Sequence, residues 1–306
     1  MAAGSALVLA ACGGNQNAGS GDGDALSGSV AVDGSSTVAP LSQAAAALYA
    51  EEQPDVNVTV ATSGTGGGFE KFCNGESDIQ DASRLIGEDE IAACESNGIN
   101  YAELIVANDA LTVVVNKDND WVDCLTVEQL NAIWEPGSTI NNWNQIDPSF
   151  PDQTLALYGA GTDSGTFDYF TDAINGEEGA SRTDYEPTED DNVTVQGVAG
   201  SEGGMGYFGY TYFEENAEQL KALEIDGGDG CVAPSAETVQ DGSYTPLSRG
   251  LYLYVSDAAT EREEVTSFMN FYIENIDTIV EEAQYVPLTD EQKSELESQF
   301  AELSGA

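Results

Sequence analysis

Residues 161–167 read Gly-Thr-Asp-Ser-Gly-Thr-Phe, a combination of hydroxyl side chains and glycines that suits the binding of a small anion. An apolar segment typical of a buried strand, 155–158, comes before them, and apolar residues at helical spacing (Phe167, Phe170 and Ile174) follow. A helix that begins here leaves its first backbone N–H groups without intrahelical acceptors. Together with the hydroxyls and the positive end of the helix dipole, those groups favour an anion. Taken alone, the pattern is also that of an ordinary helix N-cap.

Two other segments repeat this order of strand, Gly/Ser/Thr turn and helix. In the first, a strand over 29–32 runs into a turn and then an Ala-rich helix over 41–52. In the second, the alternating segment 56–60 predicts a strand, 63–68 (Ser-Gly-Thr-Gly-Gly-Gly) a loop, and a helix starts at Phe69. Glycines at these positions allow the backbone to approach an anion closely. The alternative is a plain linker, which the tight fit between strand and helix disfavours. We expect the three junctions to converge on one oxyanion.

A single arginine adds a charge to this pattern. Arg84 ends a short strand predicted within 76–86 and has apolar neighbours, in a chain with 8 basic and 55 acidic residues. Buried at a strand end, its guanidinium would suit an oxyanion, since its N–H groups form a planar fork. The alternative is a structural ion pair with one of the many acids.

The composition excludes several classes of function. The chain has 306 residues, 41% of them hydrophobic, and a formal net charge of −47, which makes nucleic acid and anionic lipid surfaces poor partners. Such an excess of acid is typical of proteins from strong salt, where repulsion is screened. The sequence contains no histidine, so Ser-His and Cys-His catalysis and histidine-ligated zinc are excluded. We predict no catalytic residue, no metal site and no cofactor.

Residues 6–14 are an apolar run that ends in small residues and a cysteine. Within it, Leu-Ala-Ala-Cys at 9–12 resembles the lipobox of bacterial lipoproteins, which implies a lipid on Cys12, although the basic residues that usually precede such a run are missing. The alternative is a frayed apolar N-terminus. The predicted segment 1–28 is thus a lipoprotein signal remnant and a flexible tether.

The other four cysteines predict two disulfides, because an even number in an exported protein favours pairing. Four cysteines allow three pairings, and the expected one joins Cys73 to Cys94 and Cys124 to Cys231, which keeps each bond within one lobe.

Strands that alternate with helices indicate an α/β fold. Apolar strands near 107–116 and 249–255 are predicted to cross between two lobes. The first lobe would comprise 29–109 plus 253–306, and the second 110–252. A further strand is predicted over 193–198, where Val-Thr-Val-Gln-Gly-Val alternates.

Taken together, these segments resemble the phosphate-binding proteins of bacterial and archaeal ABC-type phosphate importers, over nearly all of 29–300. Four motifs carry the resemblance: Asp-Gly-Ser-Ser-Thr-Val-Ala-Pro at 33–40, Gly-Thr-Gly-Gly-Gly at 64–68, Asp-Ile-Gln-Asp-Ala-Ser-Arg at 78–84 and Asp-Ser-Gly-Thr-Phe at 163–167. It implies a two-lobed fold like that of the type II periplasmic binding proteins, with a ligand cleft between the lobes.

The resemblance also implies a set of phosphate ligands. The first lobe would contribute Ser36, Thr37, Thr65 and, as the positive charge of the branch with an Ala-Ser-Arg motif, Arg84; the second would contribute Ser164, Gly165 and Thr166.

Another branch of the family has an arginine where this chain has Ala160, and an aspartate at the position of Arg84 that accepts the proton of hydrogen phosphate. The proton acceptor of this chain therefore stays open between Asp163, Asp81 and Asp191.

By resemblance, the expected function is capture of inorganic phosphate outside the cytoplasm and its delivery to ABC permease subunits. The protein would be a monomer held at the membrane only by its lipid. Sulfate, molybdate or tungstate as ligand, or a role as phosphate sensor, remain alternatives. A phosphohydrolase is disfavoured, because no histidine, metal cluster or paired base is evident.

Overall fold

The computed structural model describes Met1, residues 26–162 and residues 164–305, so Cys12 and most of the predicted tether lie outside the described residues. The strands are β1 (Gly28–Gly34), β2 (Val56–Ala61), β3 (Ile79–Ala82), β4 (Tyr101–Asn116), β5 (Cys124–Thr126), β6 (Ala156–Ala160), β7 (Glu186–Thr188), β8 (Gly204–Gly209), β9 (Leu220–Ala222), β10 (Glu224–Asp226), β11 (Cys231–Val232) and β12 (Ser248–Ser256). The helices are α1 (Ala39–Glu52), α2 (Gly64–Cys73), α3 (Glu88–Asn97), α4 (Val127–Trp134), α5 (Gly165–Phe170), α6 (Asp191–Gly200), α7 (Tyr210–Asn216), α8 (Ala236–Gln240), α9 (Asp257–Thr260), α10 (Glu263–Glu274), α11 (Ile276–Glu282) and α12 (Asp290–Ser304). A 3₁₀ turn spans Trp143–Gln145, and a π-helical turn, Thr171–Asn175, continues α5. In the part of the chain that the structure describes, no helix combines the length and apolar character needed to cross a bilayer.

A mixed sheet lies at the centre of the molecule, with strand order β2-β1-β3-β12-β4-β8-β6-β7 and with β9 also paired to β4. β1 is parallel to β2 and β3, and β6 is parallel to β7 and β8. Between these parallel groups, β12 and β4 run antiparallel to each other. Helices connect the parallel strands, so the predicted α/β class is confirmed.

The long strand β4 joins the two parallel groups. Residues 101–110 pair with β12, and residues 111–115 pair with β8. The two main hydrophobic cores divide at the same place. The first core is built from residues up to Ala107 and from Leu251 onward, and the second from residues between Ala110 and Leu247 together with Val286. The strands predicted to cross, 107–116 and 249–255, are therefore parts of β4 and β12; the bounds of the lobes stay a prediction.

The three predicted junctions of strand, turn and helix are all present, as β1–α1, β2–α2 and β6–α5. α1 begins at Ala39, two residues earlier than expected. Pro40 fits its first turn, because an N–H group at that position has no intrahelical acceptor to lose.

The prediction of a glycine-rich loop over 63–68 is wrong, because α2 begins at Gly64 and contains the glycines in its first turns. A β-carbon on Gly68 would lie 2.1 Å from Gln80 Oε1 and 2.6 Å from the Cα atom of Gly34. Glycine is needed at this position because α2 packs directly on β1 and β3.

The predicted strand over 193–198 is also wrong, since these residues lie in α6. The Asp190 side chain accepts a hydrogen bond from Asn192 N (3.0 Å) and caps the helix. Thr194, Val195 and Val198 face inward, which is helical rather than alternating spacing.

Both expected disulfides are present. Cys73 is bonded to Cys94, with Cα atoms 4.3 Å apart, and Cys124 to Cys231, with Cα atoms 6.0 Å apart. The first links α2 to α3, and the second links β5 to β11. The Cys124–Cys231 bond lies in a separate three-stranded sheet of order β11-β10-β5, whereas the Cys73–Cys94 bond joins two helices.

Candidate functional site

The β1–α1 turn and the start of α5 face each other across a cavity of about 240 Å³. Five residues expected to bind phosphate line it: Ser36, Thr37, Ser164, Gly165 and Thr166. The two walls nearly touch, because a β-carbon on Gly165 would lie 3.0 Å from Thr37 Oγ1. The first and third junctions therefore meet, and the convergence of all three on one oxyanion stays a prediction.

Thr65 and Arg84 lie in the wall of an adjoining cavity of about 740 Å³, which shares Ser36 and Thr37 with the first. The Thr65 hydroxyl is 3.0 Å from Ser83 Oγ and accepts a hydrogen bond from Ser83 N at 3.3 Å. The second junction thus borders a cavity that adjoins the first, and Ser36 and Thr37 lie in the walls of both.

Arg84 is not buried as expected. Its side chain is 48% exposed, and its two terminal nitrogens each lie 2.8 Å from a carboxylate oxygen of Glu90. The hydrogen bond to Glu90 raises the pKa of the guanidinium. The structural ion pair that the sequence left as an alternative is present, and it occupies the fork that an anion would need.

Backbone and side-chain contacts fix the conformation of the β1–α1 turn. Ser35 N donates to the carbonyl of Asp81 (2.8 Å), Ser35 Oγ accepts from Thr37 N (3.2 Å), and Tyr285 donates its hydroxyl to the carbonyl of Thr37 (2.7 Å). Ser36, at the tip, is exposed. The turn is therefore held in shape before any ligand binds, which lowers the ordering cost of binding.

Ser164 is the N-cap of α5, and its Oγ accepts a hydrogen bond from Thr166 N at 3.2 Å. Because the oxygen is the acceptor in that bond, the hydroxyl proton remains able to donate to a ligand. The N–H group of Gly165, in the first turn of helix α5, has no intrahelical acceptor. Both donors belong to residues that line the cavity.

The sequence did not identify Arg249, which is hydrogen-bonded to the β1–α1 turn. Arg249 Nη2 donates to Thr37 Oγ1 over 3.1 Å, and Nε donates to Asp109 Oδ2 over 3.1 Å. The guanidinium carbon lies 3.5 Å from the centre of the Tyr169 ring. A signal was available: Arg249 borders an apolar strand in the same way that Arg84 does, and the reasoning applied to one arginine applies equally to the other.

Of the three candidate proton acceptors, the structure places Asp191 in the wall of the smaller cavity. Burial, and then the negative charges of Asp190 and Glu189, raise the pKa of Asp191 to about 6. A carboxyl with that pKa is largely ionised at neutral pH and can accept a hydrogen bond from a protonated ligand.

Asp81 lines neither cavity. Its carboxyl group is fully buried under the first turn, where Oδ1 accepts from Ser42 Oγ at 2.8 Å, and burial raises its pKa to about 8. The third candidate, Asp163, lies outside the described residues. Asp191 is therefore the best placed of the two that can be compared.

One group of side chains among the described residues has the spacing of metal ligands, formed by Cys124, Glu224 and Cys231. Because the two sulfurs are bonded to each other, neither can serve as a thiolate ligand.

Comparisons with known proteins place these features in a family. Residues 19–275 match the model of the PBP superfamily domain. Protein SphX of Synechocystis is 47% identical over 266 residues, covering 86% of this chain and 79% of SphX. The phosphate-binding protein PstS of Staphylococcus saprophyticus is 39% identical over 99% of this chain and 93% of its own length. The crystal structure of a possible phosphate binding protein from Planctomyces limnophilus has a TM-score of 0.88 and 47% identity, over 91% of this chain and 99% of that one.

Proposed function

The chain belongs to the PBP superfamily, in the family of phosphate-binding proteins that includes PstS of Staphylococcus saprophyticus, and on this premise we propose that it binds inorganic phosphate between the β1–α1 turn and α5. The observation that carries the proposal is the meeting of two hydroxyl-bearing turns across one cavity, with Thr37 and Gly165 almost in contact. Hydroxyl and N–H donors from both sides can surround a tetrahedral anion.

The donor set is sufficient for useful affinity. A micromolar dissociation constant corresponds to about −8.2 kcal/mol. Hydrogen bonds to a charged group contribute about 1.5–3 kcal/mol net each. Five bonds, one from each of Ser36, Thr37, Ser164, Gly165 and Thr166, would supply about 7.5–15 kcal/mol, which meets the requirement except at the lowest values and at higher values leaves a margin for the cost of ordering the ligand.

Thr65 and Arg84 complete the proposed set from the adjoining cavity. Thr65 lines the larger cavity, whose wall also includes Ser36 and Thr37. Arg84 would have to share its guanidinium between Glu90 and the anion, since Glu90 now holds both terminal nitrogens.

Selectivity for phosphate would come from Asp191. Hydrogen phosphate can donate a hydrogen bond to this carboxylate, whereas sulfate has no proton and would place its oxygens against a negative charge. An acceptor in a partly buried site that is left without a donor disfavours the wrong ligand. Arsenate, which carries the same protons as phosphate, should bind alongside it.

Calorimetric titration of the folded protein in strong salt tests the proposal, with phosphate, arsenate, sulfate and molybdate as ligands. We expect phosphate and arsenate to bind with micromolar or tighter affinity, and sulfate and molybdate to bind at least tenfold more weakly, about 1.4 kcal/mol. Absence of phosphate binding would refute the function. Equal affinity for phosphate and sulfate would refute the account of selectivity and leave phosphate binding standing.

The cellular role that we propose is extracytoplasmic capture and delivery to an ABC permease, by a monomer held at the membrane through a lipid on Cys12. Binding without catalysis fits a chain that has no histidine to activate Ser164 as a nucleophile. Phosphate uptake by cells that express the chain with its permease separates transport from a sensing role. A Cys12→Ala variant recovered in the soluble fraction would support the anchor, and one that stays with the membrane would contradict it.

A further inference from the structure

Arg249 lies at the junction between the two halves of the sheet. In the antiparallel pairing of β12 with β4 it stands directly opposite Asp109. Its Nε donates to Asp109 Oδ2 over 3.1 Å, and the Asp109 side chain is only 7% exposed. The buried carboxylate thus fixes the position of the guanidinium, whatever ligand is bound.

The guanidinium lies in the wall of the larger cavity and contacts residues on both sides of the candidate anion site. Nη2 donates to Thr37 Oγ1 over 3.1 Å. The guanidinium carbon stacks 3.5 Å from the ring centre of Tyr169, a residue of α5 whose hydroxyl donates to the carbonyl of Pro246 (2.9 Å). Arg249 therefore contacts both elements that face each other across the smaller cavity.

The bond from Arg249 determines what the Thr37 hydroxyl can do. Guanidinium nitrogens only donate, so Thr37 Oγ1 must be the acceptor, and the hydroxyl proton is left for another acceptor. Within the described residues this hydroxyl has no second hydrogen-bond partner, and Thr37 lines both cavities. We propose that Arg249 is a positioning residue of the anion site, which orients the Thr37 hydroxyl as a donor to the bound oxyanion and strengthens it by its charge. The inference rests on the proposed function.

Phosphate affinities of Thr37→Val, Arg249→Gln and the double variant test the coupling between the two residues. Thr37→Val removes the hydroxyl and keeps the shape of the side chain. We expect each single variant to bind phosphate at least tenfold more weakly, and Arg249→Gln to cause less than a threefold further loss in the Thr37→Val background. Losses that multiply would show that Arg249 does not act through Thr37, and an Arg249→Gln variant with wild-type affinity would overturn the proposal outright.

A second pair of variants separates positioning from a structural effect, because Arg249→Gln leaves the buried Asp109 carboxylate unpaired. The double variant Asp109→Asn/Arg249→Gln removes that charge and is compared with Asp109→Asn, which also covers the case in which Arg249→Gln alone does not fold. We expect the same tenfold or greater loss in this comparison. Recovery of wild-type affinity would mean that the unpaired carboxylate caused the loss, and would refute the proposal.

Arg262→Gln is the matched control, since Arg262 pairs with Asp78 and Glu264 and lines neither cavity. We expect its affinity to stay within twofold of the wild type. A loss as large as that of Arg249→Gln would show that any lost positive charge weakens binding, and would overturn the specific role of Arg249. Failure of the wild-type protein to bind phosphate would refute the proposed function instead, so the two failures are distinguishable.

Discussion

Replacing Asp191 with asparagine should remove the proposed preference for phosphate over sulfate. The side chain lies in the wall of the cavity formed by Thr37 and Ser164. As a carboxylate it can only accept, so it suits an anion that carries a proton. Asparagine has almost the same shape but also offers an N–H donor, which sulfate can use.

The size of the effect follows from one hydrogen bond to a charged group. Such a bond contributes about 1.5–3 kcal/mol, which corresponds to a factor of about 10 to 150 in affinity. We expect Asp191→Asn to bind phosphate more weakly by a factor in this range and to bind sulfate more tightly than the wild type. The phosphate-to-sulfate affinity ratio should therefore fall by at least that factor.

The pH dependence gives an independent signature. The pKa of Asp191 is raised to about 6 in the free protein, so the carboxyl is mostly ionised above that pH and mostly protonated below it. Protonated Asp191 can donate, so the wild-type ratio should fall as the pH is lowered from about 7.5 to about 5. In Asp191→Asn the ratio should vary with pH only through the ionisation of phosphate itself, which affects both proteins alike.

Calorimetric titrations of both anions at several pH values provide the assay, and Asp190→Asn provides the matched control. Asp190 carries the same charge one residue earlier, and asparagine keeps its role as the N-cap of α6. This variant should retain the wild-type preference at neutral pH, with the fall shifted to lower pH because one of the charges that raise the pKa of Asp191 is gone. Equal ratios in the wild type and Asp191→Asn at every pH would refute the reasoning.

Three further substitutions have defined outcomes. Gly165→Ala should weaken phosphate binding about tenfold, or about 1.4 kcal/mol, because the new β-carbon would lie 3.0 Å from Thr37 Oγ1. Alanine favours a helix, so calorimetry should show the loss while thermal unfolding shows none. Unchanged affinity would contradict a site in which Gly165 and Thr37 bind the anion side by side. Asp81→Asn should stabilise the fold by an amount that grows as the pH rises. The folded pKa of about 8 lies above the usual 3.8, so between these two pH values the native state holds a proton that the unfolded state has lost. Over this range wild-type stability falls by about 1.4 kcal/mol per pH unit, a loss that the asparagine variant does not have. Denaturant unfolding at about pH 5 and pH 7 should show the gap between the two proteins widening by about 3 kcal/mol, and parallel curves would contradict it. Gln284→Gly should raise the unfolding free energy by about 1 kcal/mol, because Gln284 has a φ of 59°, a left-handed conformation that disfavours a side chain; a lower melting temperature would show that its side-chain contacts matter more.

The features that the sequence predicted correctly depend on neighbouring residues. Apolar strands followed by Gly, Ser and Thr and then by helical spacing correctly placed the junctions that contain Ser36, Thr65 and Ser164, because strand pairing and helix capping are specified within a few residues. The disulfide pairing was also predicted correctly, because it followed from the expected division into two lobes.

The features that it missed depend on packing between distant segments. The glycines that begin α2 resemble a loop until Gly68 is seen against Gln80 and Gly34, which belong to two different strands. Likewise, Val-Thr-Val-Gln-Gly-Val fits a strand by alternation, and only the cap at Asp190 and the inward-facing Val195 and Val198 favour the helix. Local patterns of this kind allow both structures, and tertiary contacts decide between them.

The positions of the basic side chains also depend on packing between distant segments, and here the consequence concerns ligand binding. Seven of the eight basic residues form ion pairs, and the eighth, Lys117, donates to the carbonyl of Glu218. In a chain with 55 acidic residues an arginine is therefore usually paired with a carboxylate. Its contribution to binding an anion then depends on where its remaining N–H donors point. Both terminal nitrogens of Arg84 are held by Glu90, six residues away, whereas Arg249 reaches Thr37 across 212 residues and keeps a donor on the site. Because Arg84 and Arg249 are each paired with a carboxylate, the proposed site relies mainly on oriented N–H and O–H dipoles, whose short-range attraction is screened by salt much less than that of separated surface charges.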